Sequence, residues 1–238
     1  MNGKLPLVLL HGYPFDSTMW DPVIARLSPD LKIAAPDLRA FGSPAGTAEP
    51  SIDLMADDVA LKIEGEAFVA GFSMGGYVTL ALAERHPERI AGLALINSQS
   101  AADPDEVRQA RRAVIEKVSK QGIAAALDAA LPKLFAHPTP DLTKYPQRGA
   151  ERAGVAGIKW ALEAMARRPD RMSVLQEFRK PILIVHSTAD KFIPVDRAQT
   201  LAKSVGATYM EIEGVGHCTP LEAPERVAAA LASFLDGR

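Results

Sequence analysis

Residues 67–75 read Ala67-Phe68-Val69-Ala70-Gly71-Phe72-Ser73-Met74-Gly75, an apolar run that ends in a Gly-x-Ser-x-Gly pentapeptide and leads into a helix-like segment, residues 76–86. A strand that turns sharply into a helix brings the two backbones too close for a Cβ two residues before and after the apex. Gly71 and Gly75 stand at those places. Ser73 at the apex would hold its hydroxyl clear of the sheet, beside a helix N-terminus whose unpaired N–H groups favour a developing negative charge. The pentapeptide alone is a weak pattern, so its meaning depends on the rest of the chain.

Outward from this stretch, short apolar runs alternate with amphipathic ones. Residues 5–10, 32–35, 67–72, 92–96, 182–186 and 208–212 read as strands. Six buried strands with helices between them predict an α/β fold, a three-layer αβα sandwich around a mainly parallel six-stranded sheet. Ile52, Met55, Val59 and Ile63 form one helix face behind Ser51, a candidate N-cap, and Val227, Leu231, Phe234 and Leu235 form another, with Pro224 suited to its first turn. Between Asn97 and Pro181 the alternation stops. Residues 107–118, 123–134 and 155–166 read as helices, which predicts a helical cap inserted at about residues 98–180 of a single domain spanning residues 1–238. Pro132, Pro138, Pro140 and Pro146 predict an irregular stretch over residues 135–147. Such a cap would roof a pocket.

The 238 residues are 47% hydrophobic with a net charge of -2, which fits one domain burying roughly 70–75% of its unfolded surface. Near-neutral charge gives no electrostatic case for nucleic acid or an anionic membrane as partner. Arg108, Arg111 and Arg112 lie at helical spacing and predict a solvated face. Cys218 is the only cysteine, so no intrachain disulfide can form and a reducing cytoplasm is the default location. The run at residues 5–10 is too short for a membrane span or a signal peptide. No paired-cysteine metal motif occurs, and neither a metal nor an organic cofactor is expected.

A serine hydroxyl needs a base within hydrogen-bond reach and a third group that fixes the base's tautomer. His217 is the candidate base, in the flexible Gly214-Val215-Gly216-His217 loop between the last strand and the final helix. His86 before Pro87, His137 in the proline-rich segment and His186 at a strand end have structural explanations. Asp190, just after the strand at 182–186, is the candidate acid. Asp196 lies past Pro194 as a helix-capping candidate, and the preceding strand ends in Asn97-Ser98-Gln99 with no carboxylate before Asp103. Acyl transfer also needs two backbone N–H donors for the carbonyl oxygen as it becomes negative. Met74 supplies one. The loop His11-Gly12-Tyr13-Pro14 should supply the other: Pro14 has no N–H, so the donor is Tyr13, with Gly12 letting the backbone pass close and His11 bracing the loop.

Taken together, the segments Leu7 to Gly12, Pro36 to Gly42, the serine turn, Asp190 and Gly214 to His217 followed by Glu222-Ala223-Pro224-Glu225 resemble the α/β-hydrolase fold superfamily. The similarity is to its small esterases and 3-oxoadipate enol-lactonase-like serine hydrolases. It covers nearly the whole chain and implies hydrolysis of a small carboxylic ester or lactone by Ser73, His217 and Asp190, with the Tyr13 and Met74 amides as oxyanion hole. A serine rather than an aspartate argues against the dehalogenase branch. The implied partner is a small-molecule substrate, with the chain a monomer or homodimer. Phe135, Trp160 and Met165 are candidates to line its pocket. Alternatives on the same fold are a triad-bearing small-molecule sensor, a perhydrolase or a C–C bond hydrolase. Two departures stand out: only residues 1–4 precede the first strand, where many relatives have an antiparallel hairpin, and Ala40 stands where relatives often carry glycine.

Overall fold

A computed structural model of the protein describes residues 5–236. In chain order the elements are β1 (Leu7–Leu10), α1 (Asp21–Ile24), β2 (Ile33–Ala34), α2 (Ile52–Ala60), β3 (Ala67–Phe72), α3 (Met74–Arg85) and β4 (Ile90–Ile96). They continue with α4 (Asp105–Gln121), α5 (Ala124–Leu134), α6 (Pro140–Arg167), α7 (Met172–Glu177), β5 (Ile182–Ser187), α8 (Val195–Val205), β6 (Thr208–Ile212), α9 (Thr219–Glu222) and α10 (Pro224–Asp236). The six strands form one sheet in the order β2-β1-β3-β4-β5-β6, every pairing parallel.

Side chains alternate across the sheet and divide the core in two. Val8, Leu10, Val69 and Leu93 face α2 and α3 on one side, with Met55, Val59 and Val78, whereas Leu7, Leu9, Phe68 and Phe72 face α1 and α10 on the other, with Val23, Leu231 and Phe234. The register pairs Leu10 with Gly71, Phe72 with Ile96, and Ile96 with Val185, so the carboxyl ends of β1, β3, β4 and β5 finish at one level. Whatever follows those strands is therefore delivered to one place, the usual site of chemistry in open α/β sheets. Ser51 caps α2 as expected, its side chain accepting from the Asp53 N–H, and Pro224 opens α10.

Helices α4 to α7 fill the interval between β4 and β5. Here the sequence misleads on one point. The stretch expected to be irregular over residues 135–147 is loop only to Thr139, because α6 starts at Pro140 and runs through Pro146. Pro140 occupies the first helical position, where its missing N–H costs nothing, and the Thr139 side chain caps the helix. Pro132 sits in the last turn of α5. The real break in α6 is Gly154, at φ 60°. Asp196 lies in the first turn of α8, whose N-cap is Pro194, and Ala40 holds the left-handed conformation itself, at φ 75°.

Candidate active site

Ser73 adopts φ 50° and ψ −112°, outside the regions a residue with a Cβ prefers, a conformation that costs on the order of 1–3 kcal/mol. The surroundings hold it there. Its N–H donates to the Ile96 carbonyl at 3.0 Å, and its carbonyl accepts from Ser98 Oγ at 2.8 Å and from the Gly76 N–H at 2.9 Å. A Cβ on Gly71 would collide with the Gly75 carbonyl, and one on Gly75 with the Leu10 carbonyl. The two glycines are thus required by close approach, as the sequence implied.

His217 Nε2 lies 2.9 Å from Ser73 Oγ, and His217 Nδ1 lies 2.8 Å from Asp190 Oδ2. With Nδ1–H donating to the carboxylate, Nε2 is left as acceptor for the hydroxyl. The imidazole is wedged between Phe72 and Phe192, whose ring centroids are 5.1 and 4.8 Å from its own. The Asp190 side chain is shut off from solvent. Burial alone would raise its carboxyl, but the His217 charge and hydrogen bond, the Asn97 amide and the Phe192 N–H outweigh that and hold it down to about 2. The carboxyl is accordingly ionised wherever the imidazole needs it.

One residue in this network, Asn97, was not singled out in the sequence as a functional group, and a second, His186, keeps the structural role expected of it. Asn97, buried at the end of β4 with φ 45°, donates through Nδ2 to Asp190 Oδ2 at 3.0 Å and to Ser187 Oγ at 2.7 Å, while its Oδ1 accepts from Thr219 Oγ1. It steadies the acid from the neighbouring strand. His186 is fully buried, donates through Nε2 to the Ile193 carbonyl at 2.9 Å, and lies 3.6 Å from Asp190 Oδ2. Burial lowers its pKa, so it braces the acid loop as a neutral ring. Only the position of Asn97 at a strand end hinted at its role. Glu222 fixes the other side, accepting from the Gly216 N–H at 2.9 Å and the Ala136 N–H at 2.8 Å, and so ties the His217 loop to the loop between α5 and α6.

The loop after β1 passes beside the nucleophile position, since a Cβ on Gly12 would lie 2.6 Å from the Phe72 ring and 3.2 Å from Ser73 Cβ. The Tyr13–Pro14 peptide is cis. The Phe15 N–H is occupied by the Gly12 carbonyl, whereas Tyr13 and Met74 donate to no backbone acceptor among the described residues. His11 braces the loop as expected: Nε2 accepts from the Leu38 N–H at 3.0 Å and Nδ1 donates to the Gly12 carbonyl at 2.9 Å. Burial keeps this ring neutral by lowering its pKa.

The pocket candidates separate. Phe135 is buried against Gly216, next to His217, and shares an apolar cluster with Phe72 and Cys218. Trp160, on α6, gives its indole N–H to the Ala48 carbonyl at 3.0 Å and is buried in the hydrophobic core. Met165 Sδ lies 3.5 Å from an Arg111 Nη1. That contact corrects the reading of the arginine group as one solvated face. Arg108 pairs with exposed Asp105, but Arg111 turns inward to Asp103, a buried carboxylate shared with buried Arg168. Asp103 attracts them because burial without partners would be costly for a charge. Arg39 is held bidentately by Asp58 at 2.8 and 2.7 Å, and Cys218 is a buried thiol whose pKa burial pushes up. Among the described residues no helix is long and apolar enough to cross a membrane, and no group of three or more His, Cys, Asp or Glu could hold a metal.

The sequence profile of the alpha/beta hydrolase family matches residues 7–230. A pimeloyl-[acyl-carrier protein] methyl ester esterase of Neisseria meningitidis is 30% identical over 240 residues, covering 96% of this chain and 93% of the relative. Among solved structures, a thermophilic esterase from Thermogutta terrifontis superposes with a TM-score of 0.91 at 31% identity, over 98% of this chain and 90% of that one. The enol-lactonase from Burkholderia xenovorans LB400 gives 0.81 at 28% identity, over 98% and 92%. With the profile spanning nearly the whole chain and the sheet order and strand-end geometry already described, the chain belongs to the alpha/beta hydrolase family.

Proposed function

We propose that the protein is a serine hydrolase of small carboxylic esters or lactones acting through an acyl-enzyme. The observation that carries this reading is the unbroken relay from Ser73 Oγ to His217 Nε2 at 2.9 Å and from His217 Nδ1 to Asp190 Oδ2 at 2.8 Å. Ser73 Oγ attacks the carbonyl carbon as its proton passes to His217 Nε2, and the carbonyl oxygen, now negative, is received by the Tyr13 and Met74 amides. The imidazolium, held by ionised Asp190, returns that proton to the departing alkoxide; in a lactone the alkoxide stays tethered to the acyl group. Water then repeats the sequence on the acyl-enzyme and frees the acid. One oxyanion donor contributes on the order of 10²–10³ in kcat. The esterase and enol-lactonase among its structural neighbours support the substrate class, with the helical insertion as the roof of the pocket and Phe135, beside the His217 loop, in its wall.

Ser73→Ala tests the assignment. Hydrolysis of p-nitrophenyl acetate should fall by about 10⁶-fold in kcat, to the residual rate left by binding and the oxyanion hole. A variant that keeps wild-type turnover would remove Ser73 from the mechanism.

A further inference from the structure

Helix α6 sits on the loop that carries Tyr13. A Cβ on Gly149 would collide with the Pro14 carbonyl oxygen and lie 2.7 Å from Phe15 Cα, so the helix backbone rests directly on the residues after Tyr13. On either side of this seat the contact is ionic. Arg148 Nε and Arg152 Nη1 each donate at 3.1 Å to Asp16 Oδ2, and the Asp16 side chain is only 1% exposed. Arg152 Nη2 continues to Asp37 Oδ2 at 2.7 Å, and Asp37 Oδ1 accepts from the Ser17 N–H at 2.8 Å. Past the break at Gly154 the helix has a second seat, where a Cβ on Gly157 would lie 2.5 Å from the Ala40 carbonyl. The turn bearing Ala40 in turn reaches back to the same loop through the Leu38 N–H and His11 Nε2. The Tyr13 loop is therefore fixed from the sheet side by His11 and from the insertion side by α6.

We propose that α6 is a positioning element of the oxyanion hole: the Tyr13 amide is at its working place only while Gly149 is seated on Pro14 and Phe15 and the arginines hold Asp16. The inference rests on the hydrolase reading, in which the Tyr13 amide receives the oxyanion. Its physical basis is that oxyanion stabilisation depends on donor placement, and a misplacement of about 1 Å costs on the order of 10²-fold. Docking of the insertion and assembly of the catalytic site become one event. Gly149 and the two arginines act through Tyr13 and touch no reacting atom.

The test compares wild type with Gly149→Ala, with the double variant Arg148→Gln/Arg152→Gln, and with Gly122→Ala, an insertion glycine whose added Cβ would meet nothing within 4 Å. On p-nitrophenyl acetate, Gly149→Ala should lose about 10- to 100-fold in kcat with KM changed less than about 3-fold, and the arginine pair about 3- to 10-fold in kcat, while Gly122→Ala stays within about 2-fold of wild type. Affinity for a trifluoromethyl ketone, whose adduct with Ser73 carries an oxyanion, should weaken in Gly149→Ala and in the double variant by the same factor as kcat/KM. Should Gly149→Ala fail to fold, the arginine pair decides. Folded variants that keep wild-type kcat, that lose affinity for substrate alone, or whose ketone affinity does not follow kcat/KM would overturn the role of α6. Wild-type protein inert toward esters, or a fully active Ser73→Ala, would instead overturn the hydrolase reading.

Discussion

At the carboxyl ends of β3, β4 and β5 the functional side chains hold one another through short, buried hydrogen bonds, with Asn97, Ser187 and Thr219 gathered around Asp190 and His217. The insertion between β4 and β5 is fastened differently, by ion pairs along its rim: Arg148 and Arg152 to Asp16, Arg167 to Glu49, and Arg171 to Asp53 and Glu84. Buried polar networks fix one arrangement, because any departure leaves a group unpaired away from water. Each of these pairs has at least one partner open to water, and such pairs are weaker and more readily screened by salt. On the hydrolase reading proposed above, the chemistry lies on the rigid part and the roof on the part held by weaker pairs, and the Tyr13 loop lies where the two meet.

The largest expected effect belongs to the rigid side. Asp190→Asn should lower kcat by about 10⁴-fold, because the imidazole loses the partner that sets its tautomer and stabilises its charged form. Stability would report the same carboxylate. Its pKa is depressed in the folded protein, to about 2, so it stabilises the fold above the unfolded value near 4, by about 2–3 kcal/mol at pH 7, and this is lost as pH falls toward 2. Urea unfolding between pH 5 and pH 2 should show an acid loss in wild type that is smaller by this amount in Asp190→Asn, the remainder coming from Asp16, Asp37 and Asp103, whose carboxyls are also held low.

Next in size is Gly75→Ala, whose Cβ would meet the Leu10 carbonyl. Neither backbone can retreat without parting β1 from the elbow, so a loss of about 3 kcal/mol or more in urea unfolding is expected. Asn97→Ala should follow. Removing the amide from Asp190 raises the acid's pKa and loosens the ring it holds, for a 10- to 100-fold fall in kcat, a size consistent with losing a hydrogen bond to a charged group; unchanged kinetics would show that the Phe192 and Ile193 N–H groups suffice to hold the carboxylate. Gly122→Ala in the insertion marks the small end. Its φ of 76° and ψ of −167° lie where only glycine settles easily, but the space is open, so a loss of about 1–3 kcal/mol of stability is expected. Equal costs at Gly75 and Gly122 would erase the contrast between the two regions.

This contrast also explains how much of the protein was legible in its sequence. Gly71, Ser73 and Gly75 could be read because their constraint is local, a turn too tight for a Cβ, and Asp190 and His217 because each follows a recognisable strand. The six strands stand out as short apolar runs, although β2 is cut to Ile33 and Ala34 at the sheet edge. Asn97 escaped notice because its function lies in contacts across neighbouring strands and loops that no periodicity records, and His186 was legible as a structural residue but not as a neighbour of Asp190. Arg111 was misread because helical spacing tells which residues share a face and is silent on a buried carboxylate such as Asp103 waiting beneath it. The prolines of the insertion were misread because a proline breaks a helix only from certain positions, and Pro140 opens one.

The most direct test of the central claim is a covalent one. Rapid quenching of the wild-type protein with a p-nitrophenyl ester, followed by mass spectrometry of its peptides, should find the acyl group on the peptide containing Ser73, formed together with the first equivalent of p-nitrophenol and absent from Ser73→Ala. First-turnover release of p-nitrophenol without an acylated Ser73 peptide, or with the label on another residue, would contradict it.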